Sequence, residues 1–115
     1  MHELSIAAAI LDRVAAEAAQ YAGARFIKVG VRVGELSGVD PEALSFGFEA
    51  LTMESPWEGL ALEIEYCPRR QRCRQCQYTF PCSNHETQCP RCGAGDTILM
   101  AGEELDIAFM ETEDE

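Results

Sequence analysis

Six cysteines carry most of the chemistry available to this sequence. Four lie in the stretch CRQCQYTFPCSNHETQCPRC as two pairs, Cys73-x2-Cys76 and Cys89-x2-Cys92. Two such pairs at this separation form a strong zinc signal. Each CxxC turn can aim both sulfurs at one ion, and two turns complete a tetrahedral thiolate site. A closed site of this kind keeps no open position for substrate, so the role it implies is structural. A module this small buries too little apolar surface to fold alone, so metal binding supplies folding free energy. The competing readings are disulfides, which a cytosolic chain rarely keeps, and a redox CxxC. The latter usually comes singly within a βαβ context, which the sequence does not show.

Cys67 and Cys82 are left over. They read as small apolar residues or partly exposed thiols. The alternative is that Cys82 or His85, themselves spaced like ligands, can replace one of the four cysteines.

The second reactive stretch is the start, Met1-His2-Glu3. A terminal amine and the His2 amide nitrogen can close a five-membered ring on a metal. The His2 imidazole closes a six-membered ring through the same amide, and the Glu3 amide is a further donor. Square-planar nickel(II) or copper(II) suits such nitrogens. A corner of a square has only two cis neighbours, so these donors cannot all be cis to the His2 amide. The segment supplies three comfortable corners, and the fourth falls to water, a side chain or a partner. On the motif alone the simpler reading is an unstructured start that happens to hold a histidine, with Glu3 serving as a favourable charge at a helix N-terminus.

These residues need elements to position them. Residues 4–22 read as an amphipathic helix, with Ala7, Ile10, Leu11, Val14, Ala18 and Tyr21 on one stripe and Gly23 as the stop. RFIKVGVRV, residues 25–33, alternates, with Ile27, Val29, Val31 and Val33 sharing a face. Asp40 followed by Pro41 starts a second helix with Leu44, Phe48 and Leu51 on its apolar stripe. ALEIEY, residues 61–66, alternates with Leu62, Ile64 and Tyr66 together, and Leu105, Ile107 and Phe109 mark a third strand. The expected fold is α+β. It has a three-stranded sheet with two helices in residues 1–66, completed by a returning strand at 103–111. A zinc-ribbon-like module is inserted at 67–102, and 112–115 form a frayed acidic tail.

The chain has 115 residues and a net charge of −11, which disfavours nucleic acid as the main partner. Five of the nine basic residues, Arg69, Arg70, Arg72, Arg74 and Arg91, crowd around the cysteines, where they can offset the negative charge of a zinc tetrathiolate. No apolar run reaches membrane-spanning length, and the start lacks a basic signal-peptide region, so a cytoplasmic protein is expected.

Taken together, MHE at the start, a helix behind it and a late CxxC–x12–CxxC module at this length resemble the HypA/HybF family. The resemblance covers essentially the whole chain. It implies a nickel-insertion accessory protein for [NiFe] hydrogenase maturation, with nickel(II) as cargo on Met1, His2 and Glu3. It implies structural zinc on Cys73, Cys76, Cys89 and Cys92. The partners it implies are a HypB-type nickel-loading GTPase and the hydrogenase large-subunit precursor, with urease served by some members. Members are monomeric or dimeric, so a homodimer belongs to the expectation, while nucleic acid and membrane do not. No nucleophile–base pair or phosphate loop is present, so the chain is read as no enzyme, and GTP hydrolysis falls to the partner. One departure stands out. Many members carry histidines beside their CxxC pairs, whereas here Gln77 and Gly93 follow them. This puts pH-linked ligand exchange in doubt. The alternative class is a zinc-ribbon nucleic-acid binder that uses the arginines with Tyr78 and Phe80 as stacking surfaces. A thiol redox protein is the third reading.

Overall fold

A computed structural model describes residues 2–82 and 88–114. Two sheets divide the chain into two parts. The first contains α1 (Glu3–Ala18), β1 (Ala24–Gly34), α2 (Pro41–Thr52) and β2 (Ala61–Cys67). The module follows with β3 (Arg70–Cys73), β4 (Thr79–Pro81) and β5 (Thr97–Ala101), and β6 (Leu105–Asp114) ends the chain.

The larger sheet has the order β2-β1-β6, with β1 parallel to β2 and antiparallel to β6. Parallel neighbours need a crossover, which α2 provides. A βαβ unit is therefore present, contrary to the sequence reading. It lies in the first part, whereas the module is built on an antiparallel sheet of order β4-β3-β5, with Cys73 at the end of β3 and Cys76, Cys89 and Cys92 outside the strands. Periodicity identifies strands but not how they pair.

Both helices pack over one face of the larger sheet. Ala7, Ile10 and Val14 from α1 meet Val29, Val31 and Val33 from β1 and Leu44 and Phe48 from α2 in a single core. The helices approach closely where Gly47 lies beside Leu4. Asp40 caps α2 by accepting from the Glu42 N–H at 3.0 Å, and Pro41 opens the helix. The opposite sheet face is wet, with Lys28 between Glu63 and Glu111 and Arg32 paired to Asp106 at 2.6 Å.

Three expectations need correction. Helix α1 stops at Ala18, not residue 22. The next residues form turns, so Tyr21 is exposed instead of completing the apolar stripe. Residues 112–114 of the tail are not frayed, because Thr112, Glu113 and Asp114 pair with Phe26, Arg25 and Ala24. Backbone pairing along a long β1 holds that end although its side chains are acidic. Finally, the strand faces are broken by register shifts between Phe26 and Lys28 and between Gly30 and Val31. An extra residue reverses the alternation beyond it. Phe26 and Met110 thus reach the core, while Phe109 crosses to the wet face and lies over Gly30, where a Cβ would collide with its ring.

A tight neck joins the two parts. Gly34, Glu35 and Leu36 donate their N–H groups to Glu104, Cys67 and Gly102 respectively, and the Arg69 N–H donates to the Glu35 carboxylate at 3.0 Å. Gly34 packs directly on the Gly102 backbone and has no room for a side chain.

Candidate metal centres

The module presents its cysteines on two matched turns. In the first, the Gln77 N–H donates to the Cys73 carbonyl at 3.0 Å and the Cys73 N–H to the Tyr78 carbonyl at 2.9 Å. In the second, the Gly93 N–H donates to the Cys89 carbonyl at 2.8 Å and the Cys89 N–H to the Ala94 carbonyl at 3.0 Å. Each turn needs a left-handed residue after its second cysteine. Gly93 adopts φ 79° freely, but Gln77 reaches φ 68° against its Cβ. Its amide compensates by donating to the Arg74 carbonyl at 3.1 Å and accepting from the Arg72 guanidinium.

All four sulfurs lie within 4.8 Å of one another. Cys73 and Cys92 are 3.5 Å apart, and Cys76 and Cys89 are 3.6 Å apart, so each close pair joins one turn to the other. A tetrahedron with metal–sulfur bonds of about 2.3 Å has edges of about 3.8 Å, so the cluster fits zinc. Backbone N–H groups prepare the thiolates: Cys76 donates to the Cys73 sulfur and Arg91 to the Cys89 sulfur, each at 3.4 Å. The Cys76 N–H leads in lowering the Cys73 thiol. At Cys89 burial opposes ionisation, yet the N–H groups of Cys92 and Arg91 bring it down to about 7. At Cys92 the Ala94 N–H favours the thiolate, but the neighbouring thiols, Cys73 foremost, push it up to about 12. Four sulfurs this close cannot all be thiolates unless a cation sits among them.

Cys67 and Cys82 are not among the four sulfurs that gather within 4.8 Å. Cys67 is buried at the end of β2, and burial pushes its thiol up. Cys82 is buried in the module core, with its N–H donating to the Arg69 carbonyl. His85, its sequence neighbour in the proposed exchange, lies outside the described residues. Phe80 is also buried, and Arg91 covers Tyr78 at 5.3 Å, so this pair is not the open stacking platform that nucleic-acid binding requires. Arg74 pairs with Asp96 at 3.3 Å.

In the α/β part, His2 is exposed and serves as the N-cap of α1, its carbonyl accepting from the Ile6 N–H at 3.2 Å. Met1 lies outside the described residues. The Glu3 carboxylate accepts from the Asp40 N–H at 3.2 Å, and that bond is the main cause of its lowered pKa. Sequence reasoning gave Asp40 only a capping role. Its link to Glu3 spans 37 positions and leaves no local signal.

A family model described as hydrogenase/urease nickel incorporation, metallochaperone, HypA, matches residues 1–112. The hydrogenase maturation factor HypA of Geobacter sulfurreducens is 40% identical, covering 98% of this chain and 100% of its own. That of Solidesulfovibrio magneticus is 42% identical with the same coverage. A solution structure of a HypA protein superposes with TM-score 0.69 at 25% identity, covering 100% of this chain and 98% of that one. The solution structure of the nickel metallochaperone HypA from Helicobacter pylori, at 24% identity and TM-score 0.63, shares the fold over 100% of both chains. This protein, with its four-cysteine cluster and its histidine-headed first helix, belongs to the HypA family of nickel-incorporation metallochaperones that act in hydrogenase maturation.

Proposed function

We propose that the chain binds nickel(II) at Met1, His2 and Glu3 and delivers it to the [NiFe] hydrogenase precursor without catalysing a reaction. The observation that carries this reading is the position of His2 as N-cap of α1. The first N–H groups of a helix have no intrahelical acceptor, so losing the His2 and Glu3 amide protons to a metal breaks no helical bond. The positive end of the helix dipole favours the amide anions that result. The bond from Asp40 steadies Glu3 without using its backbone nitrogen.

Zinc on Cys73, Cys76, Cys89 and Cys92 is structural in this reading, because four thiolates leave no position for substrate. When bound, the ion supplies folding free energy and holds two turns at fixed separation. Residues 1–66 with the returning strand form the nickel part, and 67–102 the zinc module. The proposed partners are a HypB-type GTPase, which loads nickel, and the hydrogenase large-subunit precursor, with a homodimer as an alternative assembly. Thiols that stay reduced suit the cytoplasm.

The test is nickel titration of the untagged protein beside His2→Ala and beside a form with one residue added ahead of Met1. Both changes should weaken nickel binding by at least about tenfold, by loss of one or more chelate rings, while zinc content and fold persist. Unchanged affinity in either form defeats the reading.

A further inference from the structure

Helix α2 carries an anomaly. Phe46 leaves 76% of its surface in water, the most of any large apolar side chain among the described residues. Tyr66, on the edge strand β2, is 49% exposed. Between them runs an open groove of about 460 Å³, whose apolar wall includes Pro41, Phe46, Ile64 and Tyr66 and whose charged residues are Glu42 and Glu49. Exposed aromatics of this kind are typical anchors for partners.

The charge selects the occupant. An acidic rim repels nucleic acid and anionic lipid. A second copy docked by two-fold symmetry would bring Glu42 and Glu49 against the same residues of its mate, in a chain already at −11. A protein segment with apolar anchors flanked by lysine or arginine satisfies both the aromatics and the carboxylates. The groove also begins at a particular place. Pro41 and Glu42 directly follow Asp40, the residue whose N–H holds Glu3. We infer that the groove between α2 and β2 docks a basic amphipathic segment of a partner protein, holding that partner beside the amino-terminal metal segment. The partner's role there rests on the nickel reading above, whereas the docking chemistry does not.

The test is an NMR titration of the zinc-loaded, isotope-labelled protein with a synthetic amphipathic leucine–lysine peptide, with a leucine–glutamate peptide of the same pattern as control. The lysine peptide should perturb amides of residues 41–49 and 62–66. Phe46→Ser should weaken it by about tenfold, as expected for an anchor. A Glu42→Gln/Glu49→Gln variant should weaken it and flatten its salt dependence, and the glutamate peptide should not bind. Both sets of substituted side chains line an open groove, and unchanged amide positions elsewhere report an intact fold. His2→Ala run in parallel separates the two readings, because it should weaken nickel binding yet leave the peptide titration unchanged. The inference is overturned by any of four results: no lysine-peptide binding, diffuse perturbation over the whole acidic surface, full affinity in Phe46→Ser, or self-association through this groove in peptide-free protein.

Discussion

Among the described residues, ten buried apolar residues close the α/β part of the molecule, whereas the module closes over Phe80 and three cysteines, with Cys76 and Ala94 partly buried beside them. The first core is a set of interlocking aliphatic side chains from two helices and a sheet, stabilised by removing hydrocarbon from water. The second is largely sulfur. Its backbone turns are well satisfied, but it lacks the apolar area to offset the entropy of ordering its chain. The two parts should therefore fail under different insults, although a short neck ties them together.

Removing the proposed zinc with a strong chelator should expose that contrast most clearly. Structural zinc sites contribute apparent binding energies of about 10–16 kcal/mol in zinc-finger peptides, so the module should lose its fold entirely. Amide signals of residues 70–82 and 88–101 should collapse toward random-coil positions while those of α1, β1 and α2 stay dispersed. Collapse of both sets would show that the neck, not the separate cores, governs stability.

A complementary lesion in the other part is Leu44→Ala. Leu44 is fully buried between the helices and the sheet. The substitution should cost about 2–5 kcal/mol in denaturant unfolding. Zinc content and the cysteine–metal absorption of a cobalt-substituted sample should remain unchanged.

Asp40→Ala sharpens the comparison at a smaller scale. It removes the side-chain cap of α2 and should cost about 1 kcal/mol. The backbone N–H that holds Glu3 remains, so nickel binding should fall far less than in His2→Ala.

The smallest expected effect is electrostatic. The Arg32 guanidinium, hydrogen-bonded to Asp106, lowers that carboxyl's pKa on the wet face of the larger sheet. A carboxyl that ionises more readily when folded contributes its full stability above the unfolded pKa of about 3.9 and loses it as pH falls through its own lower value. Exposed pairs are worth less than about 1 kcal/mol. Asp106→Asn should therefore slightly flatten the acid limb of the stability–pH curve and leave neutral pH nearly unchanged. A steeper limb in the variant would contradict the pairing.

Much of this protein was legible because its key signals are local. Asp40-Pro41 specifies a helix start through a cap and a fixed φ that need no distant partner. The two CxxC turns are built from bonds spanning four or five residues, so spacing alone identified the four sulfurs that the fold brings together. The acidic carboxyl end was misread because its side chains argue for solvent while its backbone pairs with β1. Phe109 was misread because a register shift in pairing with β1, invisible along one strand, turned it to the wet face.

The sequence by itself determined which thiols the fold gathers, four on two turns, and which donors the proposed amino-terminal chelate would use, since ligand type and ring size are covalent properties. Only the tertiary structure decided that β1 and β2 run parallel, that β6 closes the sheet, and that Asp40 meets Glu3. Those outcomes depend on contacts between residues far apart in the chain, where burial and backbone pairing across the whole sheet outweigh any preference a local stretch can express.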